Sequence, residues 1–268
     1  MNDTNDTNDT NDTDDTDDTD DTNDTNDTEL STRRELAAAF RWAARLDLHE
    51  ATANHFSAAV SGDGSQFLLN PRGRHFSRMK ASELLLLNAA AAGQQGVHPT
   101  ADPTAWYLHA HLHQRVPRAR VVLHTHMAFA TTLTCLRDFE FLPLDQNACR
   151  FYERVGYDRD YSGMALDDSE GARVAGLLGD DKSVLFLGNH GVLVVGNTVA
   201  EAFDELYYLE KAAQLQVLAM STGRPLALIP HETAVLACKQ WRGYPQAAEL
   251  HFTELLSILD HEGSDYAS

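Results

Sequence analysis

Cysteine is scarce, with three in 268 residues. That is too few for a disulfide scaffold and fits a reducing compartment. No apolar run approaches the roughly 20 residues that span a bilayer. No basic segment followed by an apolar one opens the chain, so the expected setting is the cytoplasm, away from membranes. A basic excess is also missing. The formal net charge is −19, whereas a nucleic-acid binder needs a positive face to displace phosphate counterions. Lysine is rare and arginine carries most of the positive charge, a skew that speaks of a GC-rich source and not of mechanism.

The negative charge is unevenly spread. Residues 2–28 are nine Asn-Asp-Thr or Asp-Asp-Thr triplets holding 12 aspartates and no base, which leaves −7 on the other 240 residues. After Met1 this segment has no aliphatic or aromatic side chain, so it cannot bury enough surface to offset the entropy of ordering. The expectation is a disordered acidic tail over 1–28 and one domain over 29–268. The repeat lacks the turn glycine and closing glutamate of a calcium loop, and no chemistry is assigned to it.

The remaining chain is of ordinary globular composition, 43% hydrophobic and 23% charged overall. Helical spacing covers 35–48, and a short strand at 66–70 ends in Pro71-Arg72-Gly73. A helix is expected over 81–92 with Ser82 as its cap. Another begins at Asp102-Pro103, with Asp as N-cap and Pro in the first position, and runs to about 114. A strand at 119–126 is followed by a helix over 127–136. Two apolar runs, 184–187 and 192–195, flank Gly188-Asn189-His190-Gly191 as a hairpin. Thr198 and Glu201 form a capping box that opens a helix to about 222, stopped by Gly223 and Pro225. A last helix covers 247–259. Strands mixed with helices point to a three-layer α/β domain with a mainly antiparallel sheet.

Histidine is abundant, at 13. His124 and His126 lie two apart at a strand end and so project from one face. Two neutral imidazoles at that spacing suit a divalent metal, and the plain alternative is a polar strand end facing water. His190 sits in the hairpin turn, a place where histidine is unusual. Three histidines from two strand ends would make an open site with positions left for water or substrate. His109 and His113 are one helical turn apart, either a chelating pair or a helix face packed near the sheet. His55 and His75 stand beside turn-forming segments. Tyr152, Tyr157 and Tyr161 read as packing residues, Glu153 as a solvated loop carboxylate, and Cys135, Cys149 and Cys238 as core.

Leu123-His124-Thr125-His126, then Asn189-His190-Gly191 with the helix from Ala202 to Glu210, resemble the two metal motifs of the class II aldolase/adducin family. Asn70-Pro71-Arg72-Gly73 and Asn54-His55-Phe56-Ser57 resemble its two substrate loops. The similarity runs in order over about 33–230. It implies a three-layer αβα class II aldolase-like fold, a metal on His124, His126 and His190, substrate contacts from Arg72, Gly73, Arg74, His55 and Ser57, and a homotetramer with sites between subunits. The sugar-phosphate aldolases of the family keep a catalytic glutamate in Ser-Ser-Glu, and Pro103-Thr104-Ala105 stands there in this chain. A retro-aldol step needs a positioned base, and Ala105 supplies none. Family members without that glutamate include non-oxidative aromatic-acid decarboxylases and the iron(II), oxygen-dependent enzymes that shorten a prenylated 4-hydroxyphenylpyruvate in aminocoumarin antibiotic synthesis. Three neutral imidazoles with open positions suit Fe2+ and oxygen ahead of Zn2+ or Mn2+. The expected partner is a small-molecule carboxylate held by arginine forks. A zinc aldolase and a non-catalytic adducin-like scaffold remain as alternatives.

Overall fold

The computed structural model describes residues 20–89, 99–244 and 246–268. A seven-stranded sheet forms its middle layer, in the order β3-β2-β1-β4-β7-β6-β5. The strands are β1 (His55–Ala59), β2 (Gln66–Leu69), β3 (Leu85–Asn88), β4 (Val121–Thr125), β5 (Val155–Asp158), β6 (Val184–Leu187) and β7 (Gly191–Gly196). Only the β5–β6 pairing is parallel. It is connected through helix α4 (Asp168–Leu178), as a parallel pair requires a crossover. The mainly antiparallel three-layer architecture is as expected.

Strand alternation divides the core in two. Val121 and Leu123 of β4, Val192 and Val194 of β7, and Val184 and Phe186 of β6 face one layer. That layer holds α1 (Asp20–Arg45), α3 (Ala128–Thr134), α5 (Val199–Ser221) and α7 (Ala247–His261). Val122, Leu193, Val195 and Leu185 face the other way, onto Leu108 and Leu112 of α2 (Pro103–Arg115) and Val174 and Leu178 of α4. Helix α6 (His231–Gly243) packs beside the turn around Cys149, its Cys238 thiol donating to the Arg150 carbonyl. Among the described residues no helix is long and apolar enough to cross a membrane.

The start of α2 follows the sequence: Asp102 Oδ1 accepts the Thr104 amide at 2.9 Å and Pro103 occupies the first turn. Thr198 caps α5, its hydroxyl accepting the Glu201 amide at 3.1 Å, but the expected capping box is only half formed, because the Glu201 carboxylate accepts from Asn197 and not from the Thr198 amide. Three further expectations need correction. The helix expected over 81–92 is a short 3-10 turn at Ala81–Glu83 followed by strand β3, with 90–92 outside the described residues. The leucine run 84–87 carries no period that separates a strand from a buried helix, and pairing with β2 decides the matter, Leu68 opposite Leu86. Cys135 is exposed rather than core, because it is the residue that ends α3. Finally, α1 begins at Asp20, so the part of the acidic repeat that is described, 20–28, lies within a helix. The Thr32 hydroxyl donates back to the Thr28 carbonyl at 2.8 Å across the expected 28/29 boundary. The disorder expected for the tail otherwise falls on 1–19, outside the described residues.

Candidate metal centre

The site is built where β4, β7 and β1 end together. His55 of β1 is the register partner of His124 of β4, and Leu193 of β7 flanks His124 on its other side. His124 has the parity of Val122, so it faces the α2 and α4 layer. His126 follows two residues later, just past the strand end. His190 comes from the β6–β7 turn, where Asn189 takes a left-handed φ of 53°.

Gly191 lets that turn close on β4. A Cβ there would stand 2.5 Å from the Thr125 carbonyl oxygen and 2.8 Å from His126 Cδ2. A Gly191→Ala variant is therefore expected to lose about 1–3 kcal/mol to overpacking and to push His126 out of place. Lower urea midpoint together with lower metal uptake would show both effects. An unchanged midpoint would refute the tight approach.

His124, His126 and His190 offer ligand atoms that all lie within 4.8 Å of one another. Their tautomers are set from outside the cluster. His124 Nδ1 donates to the Val192 carbonyl at 3.0 Å. His126 Nδ1 donates to Glu50 Oε2 at 2.6 Å, a carboxylate partner of the kind that orients metal-bound histidines. The two Nε2 atoms face each other 3.1 Å apart, as bare lone pairs wherever both rings are neutral. Such a pair repels unless a cation lies between them. Two Nε2 atoms each about 2.1 Å from a common ion stand at about this separation. The donor set fits a divalent metal.

Burial supports neutral imidazoles. It holds His124 well below its ordinary range, with His55, His190 and His126 adding repulsion. His190 is lowered to about 4 by burial and by His126, against the pull of Asp158 and Glu170. Neutral imidazole is the form that binds metal.

Behind the triad runs a buried chain of hydrogen bonds with one direction. His113 Nδ1 donates to the Ala119 carbonyl at 2.7 Å. Its Nε2 must then accept from the Ser57 hydroxyl, 2.6 Å away. Ser57 Oγ, its proton spent, accepts from His109 Nδ1. His109 Nε2 accepts from His55 Nδ1 at 2.7 Å. That leaves His55 Nε2 as a bare acceptor on a ring 4.7 Å from that of His124. All four side chains are buried. Burial keeps His55 and His109 well below the ordinary imidazole range and His113 at about 4.

Of the residues expected to contact substrate, His55 joins the metal histidines directly and Ser57 joins them through His109. Arg72, Gly73 and Arg74 lie on the turn after Pro71, with Gly73 at φ 77°. Arg74 is engaged with Glu83 and the Arg78 carbonyl. Arg72 is exposed, with only a loose pairing to Asp102 at 3.6 Å. Ala105 is buried beside Phe67 and Trp106. His75 bonds to Ser77 and lies against His49. The exposed Tyr161 ring is 6.0 Å from that of His190.

Sequence reasoning did not find two supporting carboxylates. Glu50 comes from a loop with no pattern to mark it. Glu210 accepts the Phe129 and Ala130 amides at 2.8 and 2.9 Å and so caps α3 directly after the His126 segment. The His55–Ser57 alternation, matched with the four-residue step from His109 to His113, was the available signal for the buried chain.

Comparison with known proteins agrees with this geometry. The sequence profile described as Class II Aldolase and Adducin N-terminal domain matches residues 34–217. A Pseudomonas aeruginosa protein whose name places it in aldolase class 2 is 30% identical over 243 residues, 89% of this chain and 92% of that protein. Decarboxylase NovR of Streptomyces niveus is 28% identical over 205 residues, 76% of this chain and 75% of that one. The crystal structure of an aldolase II superfamily protein from Pseudomonas syringae superposes with a TM-score of 0.79 at 33% identity, covering 90% of this chain and 96% of that one.

Proposed function

The chain belongs to the class II aldolase and adducin family, and from that premise we propose a metal-dependent enzyme that cleaves the carbon–carbon bond next to the carboxylate of a small 2-oxo or hydroxy-aromatic acid. One observation carries the reading. Three imidazoles converge, while the position of the aldolase glutamate holds a buried alanine, Ala105. The relative named as a decarboxylase supports the same chemistry.

His124, His126 and His190 would hold the metal through their ring nitrogens. A divalent ion there supplies a Lewis acid that draws electron density from the substrate carboxylate and its neighbouring oxygen. Arg72, uncommitted on its exposed turn, offers a fork to a carboxylate. Gly73 lets that turn bend. His55 Nε2, left as an acceptor, takes a hydrogen bond from a substrate hydroxyl and orients it. Its other nitrogen stays fixed on His109, so the acceptor does not rotate away.

In its finer form the reading has iron(II) as the metal and dioxygen as co-substrate. A 2-oxo acid with a CH2 next to its ketone, plus O2, then gives a 2-hydroxy acid one carbon shorter and CO2. A prenylated 4-hydroxyphenylpyruvate from antibiotic biosynthesis is a substrate of this class. The same reading includes a homotetramer with sites between subunits.

The test is the metal content of untagged protein purified without air, followed by gas exchange with aryl 2-oxo acids. About one iron per chain and oxygen uptake matched by CO2 release are expected, with His55→Asn keeping metal and losing turnover. Zinc or manganese with CO2 release and no oxygen uptake would replace the oxidative form with simple decarboxylation. No metal even after reloading would overturn the enzyme and leave an adducin-like scaffold.

A further inference from the structure

The opposite end of the sheet carries a second polar cavity. β6 runs from Val184 into the His190 turn and β7 runs back to Gly196. Ser183 and Gly196 therefore stand roughly 15 Å from the histidines, at about 3.3 Å per residue. Between them and the starts of α5 and α7 lies a cavity of about 460 Å³, a volume in the range of small-molecule sites.

Its walls hold polar atoms that the described residues leave unanswered. Arg118 Nε and Nη2 are buried and make no hydrogen bond. The Ser183 hydroxyl, on a residue 2% exposed, has none either. Glu205 Oε2 is a buried acceptor without a donor. An unmade bond of this kind is costly. Helix α7 opens onto the same cavity at Ala247, and its N-cap Gln246 provides no side-chain hydrogen bond to the first amides.

Most of the acids lining the cavity are already engaged. Asp204 is taken by Arg150 and His251, Glu205 Oε1 by Arg154, and Glu201 by Asn197. Asp180 and Glu249 are exposed at the rim. Arg118 and the exposed Arg242 are left without an ion-pair partner among the described residues. Burial and the nearby Arg154 and Arg242 guanidiniums push the Arg118 pKa down, against the pull of Glu205 and Asp181. A negative charge brought into the cavity would relieve that repulsion.

We propose that this cavity binds a small hydroxylated organic anion. Its charged group meets Arg118, Arg242 and the Ser183 hydroxyl beside the α7 amides, and a hydroxyl of the same molecule donates to Glu205 Oε2. A phosphate ester and a hydroxycarboxylate share this chemistry. The site is separate from the histidine cluster and independent of the reaction assigned to it.

Calorimetric titration of the full chain with inorganic phosphate, glycerol 3-phosphate and malate tests the assignment. One of the two hydroxylated anions is expected to bind more tightly than phosphate alone. The tighter of the two identifies the source of the charge. Arg118→Gln is expected to weaken binding about tenfold or more, and Ser183→Ala by a smaller factor of about three to five. His190→Ala should leave it unchanged. Circular dichroism confirms that each variant is folded, and Ser183→Ala serves if Arg118→Gln is not. The assignment is overturned if no probe binds, if phosphate alone binds as tightly as both others, if neither cavity variant weakens binding, or if His190→Ala abolishes it.

Discussion

With His190 replaced by alanine, the protein keeps its fold and loses its metal. His190 sits in a turn, is partly exposed and packs little apolar surface, so the stability change should stay within about 1 kcal/mol. The metal is affected far more. Two ligands in place of three leave a weaker and more open site. Loss of a carboxylate or carbonyl that hydrogen-bonds to a metal-bound histidine typically costs about 10–100-fold in affinity. Glu50→Gln should fall in that range, since it removes the carboxylate that fixes the His126 tautomer. His190→Ala should exceed it. Elemental analysis of dialysed protein, beside thermal melts, separates the two effects. Full metal occupancy in His190→Ala would refute the triad.

The metal-free protein should unfold in mild acid. Inside the fold His113 stays neutral down to about pH 4, whereas in the unfolded chain it takes a proton near pH 6.5. Between those values the unfolded state binds more protons, so lowering the pH favours unfolding. The loss begins as pH falls through about 6.5 and is complete below about 4. For His113 alone it amounts to about 3 kcal/mol. His55 and His109 shift in the same direction for the same reason, burial. Protonating His109 or His113 also breaks the one-way order of the chain, because an imidazolium has no acceptor nitrogen. Urea midpoints measured from pH 7.5 to 4.5 should fall steeply. His113→Leu should be less stable at pH 7.5 and shallower in its acid slope. A flat profile for the unmodified protein would show that these histidines are not held neutral.

Local chemistry made much of the site legible. The parity of His124 and His126, and a histidine inside a glycine-flanked turn, led to the three residues that the structure gathers within 4.8 Å. The Asp102-Pro103 start and the Thr198 cap were equally local signals. What escaped is set by distant pairing. Strand β1 has no alternation strong enough to announce it, and it exists because His55, Phe56 and Ser57 pair with β4 across some 65 residues. Ser57 therefore looked like a loop residue and is a buried link between two helix histidines. The leucine run of β3 is a strand because β2 lies beside it. Glu50 and Glu210 act on segments 76 and 80 residues away in sequence; Glu210 closes the Ala202–Glu210 motif without its capping role being legible there, and nothing near Glu50 marks it at all.

The Glu210 cap also orders events during synthesis. Helix α3 has seven residues, well short of the length at which an isolated helix holds in water. The Phe129 and Ala130 amides of its first turn are satisfied by a side chain that leaves the ribosome some 80 residues later. A nascent chain that ends before His190 thus presents His124 and His126 with nothing to stiffen the segment behind them and no third imidazole. Closure of the three-imidazole cluster therefore waits for the second half of the chain, which supplies both the third histidine and the carboxylate that caps α3.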